Sequence, residues 1–470
     1  MLGSKTLLGA GWSVLARLAS RIVDFVTLLV LARMLGPADF GLTAIAVSII
    51  SIVDMVLEVP LVQALTRLRD LGKAHLDTAF TLGLARGGAV AILLVGAAWP
   101  IAMIYQDERL FWLIIVLALG PIARTLYSPA MVYFYRELDF RTAFIADFSG
   151  KLVASAMSVG VLAAGGGYWA IVVNIVASSV IPTILSYVFA PYRPATSLER
   201  LSDFASFTGW FTSSQIVAAL NWQYDRVFLG YHLDKASLGR YTVASDFSVL
   251  PTQTIIGPAM RPVMAAFSKI SHDPVRLRTA FLKASRLTMF IAAPAGIGIA
   301  LTSDLIVTII LGTQWIEAAG YLKWLALSVV LSAYYQPFYA LCLATDRTKL
   351  IFTVNALDFI VKVGLTTVAF YVGGLYGMLY ARALASVFLF LVSAFYARRL
   401  LGVTLFSQIG NLWQVALSCA IMSILVSMLH QALPLIDFGV VGGLLTMSVA
   451  GGLIYVGCML AFGFRMRALI

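Results

Sequence analysis

The chain has 470 residues, of which 61% are hydrophobic and 12% are charged, and its mean hydropathy is +0.93. Because roughly a quarter of the residues in soluble domains are charged, this composition excludes a soluble protein and is typical of a polytopic membrane protein. The net charge of +11 comes from basic residues scattered through short connections, which argues against nucleic-acid binding and indicates control of membrane topology.

Apolar stretches of about 20 residues, the length that crosses the hydrocarbon as a helix, recur along the whole chain. They predict fourteen transmembrane helices with cores at 8–34, 38–60, 77–104, 110–134, 141–164, 168–190, 204–230, 237–261, 280–303, 319–344, 350–372, 376–397, 411–430 and 438–463. The expected fold is an all-α integral membrane protein with two six-helix lobes, a central cavity and two additional helices. The expected domains are 1–195, 196–400 and 401–470.

The connections that follow an even-numbered predicted helix and lead to an odd-numbered one carry most of the basic residues that lie in connections. They hold Arg67, Arg69, Lys73, Arg136, Arg141, Arg193, Arg200, Lys269, Arg276, Arg278, Arg347, Lys349, Arg398 and Arg399. Short loops rich in Lys and Arg stay in the cytoplasm, so we expect both termini to be cytoplasmic.

Weak internal repetition supports the two lobes. At an offset of 198 residues, Gly11 falls on Gly209 and Gly41 on Gly239. At an offset of 211 residues, Asp147 and Lys151 fall on Asp358 and Lys362. Because six crossings return the chain to its starting side, the repeats are predicted to be parallel.

The first predicted helix carries a polar stripe at helical spacing. Its members are Ser13, Arg17, Ser20, Arg21, Asp24 and Thr27. Such a stripe has to face protein or water, because lipid cannot satisfy it. At the offset of 198, Arg17, Arg21 and Asp24 correspond to Gln215, Ala219 and Trp222. We therefore expect an anionic ligand to lie against the first lobe, and the second lobe to serve gating or contact with the rest of the ligand.

Charges within the other apolar stretches extend this pattern. Basic groups in the first lobe are candidates for binding an anionic headgroup through charge-assisted hydrogen bonds, namely Arg17, Arg21, Arg86, Arg124 and Lys151. Acids in or near apolar stretches are candidates for ion pairs or for coupling to a proton or sodium ion, namely Asp24, Asp54, Glu58, Asp147, Asp225 and Asp358. The second lobe adds Arg226, Lys362 and Arg382. For any one of these charges, ligand contact and structural pairing both stay open.

Motifs for catalysis or metal binding are missing from the sequence. The four histidines fall in connections or at segment ends, without an HExxH, CxxC or phosphate-binding loop. We therefore expect a transporter and not an enzyme, with no metal and no resident cofactor.

Three stretches resemble a known family. They are GWS at 11–13, LARMLGPADFG at 31–41 and YFYRELDF at 133–140. The chain resembles the bacterial polysaccharide transporter family, the Wzx-type oligosaccharide flippases of the multidrug/oligosaccharidyl-lipid/polysaccharide exporter superfamily.

The resemblance implies a two-lobed bundle in the bacterial inner membrane that opens alternately to each side. Its implied cargo is an undecaprenyl pyrophosphate-linked oligosaccharide for lipopolysaccharide or exopolysaccharide assembly. Implied partners are the bilayer, a polysaccharide polymerase and the chain-length machinery. Two alternatives remain: an ion-coupled small-molecule or drug exporter of the same superfamily, and a membrane polysaccharide polymerase or ligase.

Overall fold

The structure, a computed structural model, describes residues 19–59, 61–68, 70–137, 139–204, 210–432 and 439–463. Within these residues it contains helices and no β-strand. Nine helical spans in the described residues are long and apolar enough to cross a membrane, and one of them, Ala318–Ala344, contains two consecutive helices. A tenth span is counted if the bent pair Arg109–Thr125 and Pro129–Arg136 forms one. The expected all-α, multi-pass membrane protein is therefore confirmed. The count of fourteen spans, the lobe arrangement and the central cavity stay predictions.

The chain packs as two compact units, Met1–Gly239 and Arg240–Ile470. Unit 1 contains α1 (19–34), α2 (Pro37–Val56), α3 (Leu61–Arg67), α4 (Lys73–Ile104), α5 (Arg109–Thr125), α6 (Val132–Arg136), α7 (Phe140–Ala163), α8 (Trp169–Phe189), α9 (Trp210–His232) and the start of α10 (Lys235–Ser248). The expected domain boundaries were drawn from the repeat in the sequence. The division into two packed units does not test them, so they stay predictions.

Unit 2 contains the rest of α10 and the following helices. These are α11 (Gly257–Lys269), α12 (Pro274–Leu301), α13 (Ser303–Ile306), α14 (Ala318–Ser332), α15 (Tyr335–Ala344), α16 (Thr348–Leu401), α17 (Leu405–Gly410), α18 (Trp413–Ala432) and α19 (Gly439–Ala461). The 54-residue α16 is broken at Gly373 and Gly374, where Gly374 has a φ of 60° that residues with a Cβ rarely adopt. This break separates the predicted segments 350–372 and 376–397.

Local sequence signals start several helices. Pro37 opens α2, where its missing N–H costs nothing. Asp139 accepts a hydrogen bond from Arg141 N at the start of α7, and Asp273 accepts from Val275 N and Arg276 N at the start of α12. Side-chain acceptors at these positions satisfy amides that have no partner within the helix.

The last two helices are firmly attached to unit 2. Tyr455 of α19 donates to Phe290 O of α12 at 3.0 Å. In α17, the buried Gln408 accepts from Tyr334 at 2.7 Å and donates to Ala394 O at 2.9 Å. The pair predicted at 401–470 therefore shares the core of this unit, where Met422 and Met447 join the same buried cluster as Phe281.

Two glycines in unit 1 bring helix backbones into direct contact. A Cβ on Gly41 of α2 would overlap the carbonyl oxygen of Lys235 in α10, and a Cβ on Gly239 would overlap the carbonyl oxygen of Pro37. Residues 37 and 41 correspond to residues 235 and 239 at the offset of 198 seen in the sequence. The contact is therefore reciprocal between equivalent positions, as expected for two elements related by a pseudo-two-fold axis.

Candidate functional site

Arg86 connects α4 to the end of α2. Its Nη2 donates to Asp54 Oδ1 at 2.6 Å and to Asp54 O at 2.9 Å, and its Nε donates to Leu57 O at 2.9 Å. The last carbonyls of a helix have no donor within the helix, so this guanidinium completes the end of α2 while it binds the carboxylate.

A second arginine shares the same carboxylate. Arg124 of α5 donates from Nη2 to Asp54 Oδ2 at 2.7 Å, and its Nη1 lies 3.5 Å from Ser179 Oγ of α8. The Arg124 side chain is 53% exposed, whereas that of Arg86 is 14% exposed. Arg124 therefore has N–H donors that are accessible to solvent, whereas the donors of Arg86 bond to groups of the protein.

These groups line a cleft of about 260 Å³ in unit 1. Its polar lining consists of Glu58, Arg86, Arg124, Thr125, Tyr127 and Ser128. Two cations here face two carboxylates, Asp54 and the exposed Glu58. The sequence alone suggested a surface with excess positive charge, but in the structure both arginines form an ion pair with the carboxylate of Asp54. An anion that binds here has to compete with Asp54.

A second ion pair connects α1 to α7. Lys151 Nζ lies 2.7 Å from Asp24 Oδ1 and 2.5 Å from Oδ2, and one turn along, Thr27 Oγ1 lies 2.6 Å from Ser155 Oγ. The predicted stripe thus faces protein along this part of α1. Lys151 pairs with Asp24 and not with Asp147, four residues before it, because α1 brings the Asp24 carboxylate directly to the ammonium group.

The remaining candidates in the first repeat are separate from these pairs. Arg21 is exposed on α1, and Asp147 is exposed on α7. Arg17 lies outside the described residues.

The second-lobe candidates occupy other surroundings. Asp225 and Arg226 are buried on α9, which packs in unit 1. On α16, Lys362 is buried and Asp358 is partly buried, while Arg382 donates from Nη1 to Tyr241 OH at 2.6 Å. The structure gathers Glu58, Arg86 and Arg124 in one cleft and bonds Asp54 to both arginines. The second-lobe charges do not line that cleft.

Residues 30–320, more than half of the chain, match the model of a family described as polysaccharide biosynthesis protein. The chain belongs to this family. The Wzx-type resemblance predicted from sequence is confirmed.

Two relatives and one solved structure are similar over long stretches. The succinoglycan biosynthesis transport protein ExoT of Rhizobium meliloti is 24% identical over 68% of this chain, and the match spans 65% of ExoT, just under two thirds of its length. The lipopolysaccharide biosynthesis protein WzxC of Escherichia coli is 24% identical over 75% of this chain and 73% of its own. The inward closed structure of the lipid II flippase MurJ has a TM-score of 0.75 at 15% identity and covers 97% of this chain and 98% of its own.

The family is described by polysaccharide biosynthesis, and its relative ExoT is named as a transport protein, in agreement with the expectation of a transporter and not an enzyme. In the part of the chain that the structure describes, no group of three or more His, Cys, Asp or Glu side chains is arranged to hold a metal ion. Coupling to a proton or sodium ion stays a prediction.

Sequence reasoning missed a charged network at the opposite end of unit 1. Asp107, in the connection between α4 and α5, pairs with Arg109 at 2.8 Å and with Lys235 of α10. Burial acts to raise the pKa of Asp107, but hydrogen bonds from Arg109 and Lys235 outweigh it and hold this pKa well below its usual range. No sequence signal identified this network, because Asp107 is 128 residues from Lys235 and lies in a connection, where charges are ordinary.

Proposed function

We propose that this protein is a flippase that moves undecaprenyl pyrophosphate-linked oligosaccharide from the cytoplasmic to the periplasmic leaflet by alternating access. Family membership and the MurJ-like fold support the class of transporter. The observation that carries the site is that Arg86 and Arg124, from two different helices, converge on the two oxygens of Asp54. A phosphate group presents the same kind of paired oxygen acceptors to guanidinium donors.

The two arginines have different parts in this proposal. Arg86 makes three hydrogen bonds to the end of α2, so it positions Asp54 and does not need to leave it. Arg124 makes one short contact and is half exposed, so its guanidinium is the group that contacts the pyrophosphate. Asp54 is then the counter-ion that the pyrophosphate displaces.

The proposed orientation follows the basic connections. The cleft lies at the end of unit 1 that carries the connection 57–72, which holds Arg67 and Arg69. Loops of this type stay cytoplasmic, so the cleft would meet its ligand from the cytoplasm, with both termini on that side. A polymerase and the chain-length machinery would act after translocation.

The test is translocation in reconstituted vesicles, with labelled undecaprenyl pyrophosphate-linked oligosaccharide isolated from the source bacterium. Because a charge-assisted contact is lost, Arg124→Ala should slow translocation about tenfold or more while the protein stays folded. Arg278→Ala, an exposed arginine at the start of α12, is the matched control and should translocate normally. Normal rates for Arg124→Ala would refute the proposed headgroup contact.

The stripe on α1 is tested in the same assay. Lys151→Ala removes the partner of Asp24, and Arg21→Ala removes an exposed cation on the same helix. We expect both variants to fold and to translocate more slowly. If both translocate at the wild-type rate, α1 has no part in recognising the headgroup.

Glu58 favours a second candidate, an ion-coupled exporter. It is an exposed carboxylate that lines the arginine cleft, and a group of this kind can take up a proton or a sodium ion. Imposed proton and sodium gradients decide between the candidates: export of a small organic cation that depends on Glu58, without lipid translocation, would favour the exporter.

A further inference from the structure

A second, larger cleft lies at the other end of unit 1, around the connection between α4 and α5. Its volume is about 520 Å³, within the ~300–1,000 Å³ typical of small-ligand sites. It is separate from the arginine cleft, because the two have different lining residues. No charge predicted from the sequence lies in it.

Two indole rings form its apolar walls. Trp99 of α4 and Trp112 of α5 are each 61% exposed. The ring of Phe111 meets Trp112 edge to face, with centroids 5.2 Å apart, which fixes the plane of that indole. Exposed indole faces match the C–H faces of sugar rings, and rings held in place lose little entropy on binding.

The polar lining has the chemistry that hydroxyl groups need. Gln106 and Glu108 are exposed and line the cleft, so it offers an amide that donates and accepts and a carboxylate that accepts two hydrogen bonds. Gln106 has a φ of 52°, in the left-handed region that usually holds glycine. This conformation ends α4, since Asp107 N donates to Ala102 O at 3.0 Å.

The charges at the cleft sum to zero. Asp107 and Glu108 line the cleft, and the two cations bonded to Asp107, Arg109 and Lys235, do not line it. A phosphate group would meet repulsion from Glu108, whereas a neutral polyol would use it as an acceptor. The ligand with the best match is therefore a neutral sugar.

The position of the cleft suits a sugar that is attached to a lipid. On α4 the face that includes Trp99 continues through the exposed Ile92, Val95 and Met103, a stripe typical of contact with lipid chains. The cleft therefore opens at the edge of the bilayer, at the end of unit 1 away from the basic connections. A lipid-linked glycan that has crossed keeps its chain in the bilayer and its first sugars at this level.

We propose that the cleft between Trp99 and Trp112 binds a neutral sugar residue of the translocated glycan on the periplasmic side. This proposal rests on the proposed function. It assigns recognition of the sugar to a place different from recognition of the pyrophosphate.

The test is saturation-transfer NMR on the full-length protein in lipid nanodiscs, with the methyl glycosides of glucose, galactose, mannose and N-acetylglucosamine as probes. At least one glycoside should receive saturation from the wild-type protein. Trp99→Ala and Trp112→Ala should each weaken that signal roughly fivefold, Trp99→Phe should keep most of it, and Gln106→Ala with Glu108→Gln should reduce it. Trp413→Ala removes a tryptophan that is 51% exposed and outside the cleft, and should change nothing.

Two outcomes would overturn the proposal: no transfer to any of the four glycosides, or transfer that both tryptophan variants retain. The Arg124→Ala variant separates the two proposals. If it translocates normally while Trp99→Ala loses the sugar signal, the headgroup contact fails and the sugar cleft stands. If Arg124→Ala is inactive and all tryptophan variants bind sugar normally, the reverse holds.

Discussion

In unit 1, Asp54 pairs with both Arg86 and Arg124, and the two arginines line one cleft. At the offsets of 198 and 211 residues that relate the two expected repeats, the corresponding residues of unit 2 are Thr252, Ile297 and Tyr335. Tyr335 makes a neutral hydrogen bond to Asn355 Oδ1 at 2.7 Å. The three aligned residues of unit 2 are uncharged. Because charges inside a membrane protein are costly, this difference supports the proposed role of the cluster of unit 1 in recognition.

Gly41 and Gly239 occupy corresponding positions of the two repeats and make the same kind of backbone contact. Their substitution should have the largest effect on stability. Gly41→Ala and Gly239→Ala each place a methyl group against a backbone carbonyl that cannot rotate away. Each should lower the free energy of unfolding by about 3 kcal/mol or more, measured by thermal unfolding in detergent. Gly88→Ala, at an exposed helical glycine with open space around it, is the control and should be neutral or slightly stabilising. Equal stability of Gly41→Ala and the control would contradict this.

Removing charge from unit 1 should cost more than removing a polar group from unit 2. Arg86→Ala leaves Asp54 with one partner fewer and two helix-end carbonyls without a donor, so we expect a loss of about 3 kcal/mol of stability. Tyr335→Phe removes one neutral hydrogen bond and should cost about 1 kcal/mol. Chemical denaturation of both variants in the same detergent measures the difference. Similar losses of stability would show that the Asp54 cluster contributes no more to stability than the hydrogen bond of Tyr335.

The proposed competition between Asp54 and the ligand predicts a gain of binding. Asp54→Asn removes the charge that Arg124 faces, so the affinity for inorganic pyrophosphate should rise roughly fivefold, although translocation should slow because release slows. Isothermal titration with pyrophosphate measures the affinity. Glu317→Gln removes the acid partner of Arg240 in unit 2 and should leave that affinity unchanged. An unchanged or weaker affinity for Asp54→Asn would exclude Asp54 as a competitor.

The network around Asp107 should show the smallest effect. Its contribution to stability should not depend on pH near neutrality. A carboxyl whose pKa is lowered by folding contributes stability above its unfolded pKa of about 3.9, and that stability is lost only as the pH falls through the folded value. Because the pKa of Asp107 is well below its usual range, the stability difference between the wild type and Asp107→Asn should be the same at about pH 8 and about pH 5. A difference that shrinks markedly by about pH 5 would contradict the assigned pairing.

Much of the fold was predictable because a membrane helix has a strong local signal. The predicted segments 141–164 and 168–190 coincide with α7 and α8 to within a residue. The short helix α3 was not predicted, because it lies in a connection where no apolar run of spanning length marks it. Most of α6 falls within the predicted segment 110–134, but the bend between Arg109–Thr125 and Pro129–Arg136 was not predicted.

The residues of the candidate site could be predicted from the sequence, but the ion pairs between them could not. Residue type and depth singled out Asp54, Glu58, Arg86 and Arg124 individually. Which acid meets which base depends on how helices pack across separations such as the 127 residues between Asp24 and Lys151. The cleft around Trp99 and Trp112 gave no signal in the sequence, because the two residues lie near the ends of predicted segments, where Trp is common at membrane interfaces. Gln106 occupies a turn position that glycine usually marks.

The reciprocal contact of Gly41 with Lys235 and of Gly239 with Pro37 has the form of an isologous interface, in which residue i touches j and its copy touches the copy of i. Such an interface normally joins two identical subunits, whereas here it is closed within one chain. One surface is therefore used twice, and either substitution separates the same pair of backbones. Once Gly41→Ala has separated them, Gly239→Ala should add little, so the two effects should be strongly non-additive.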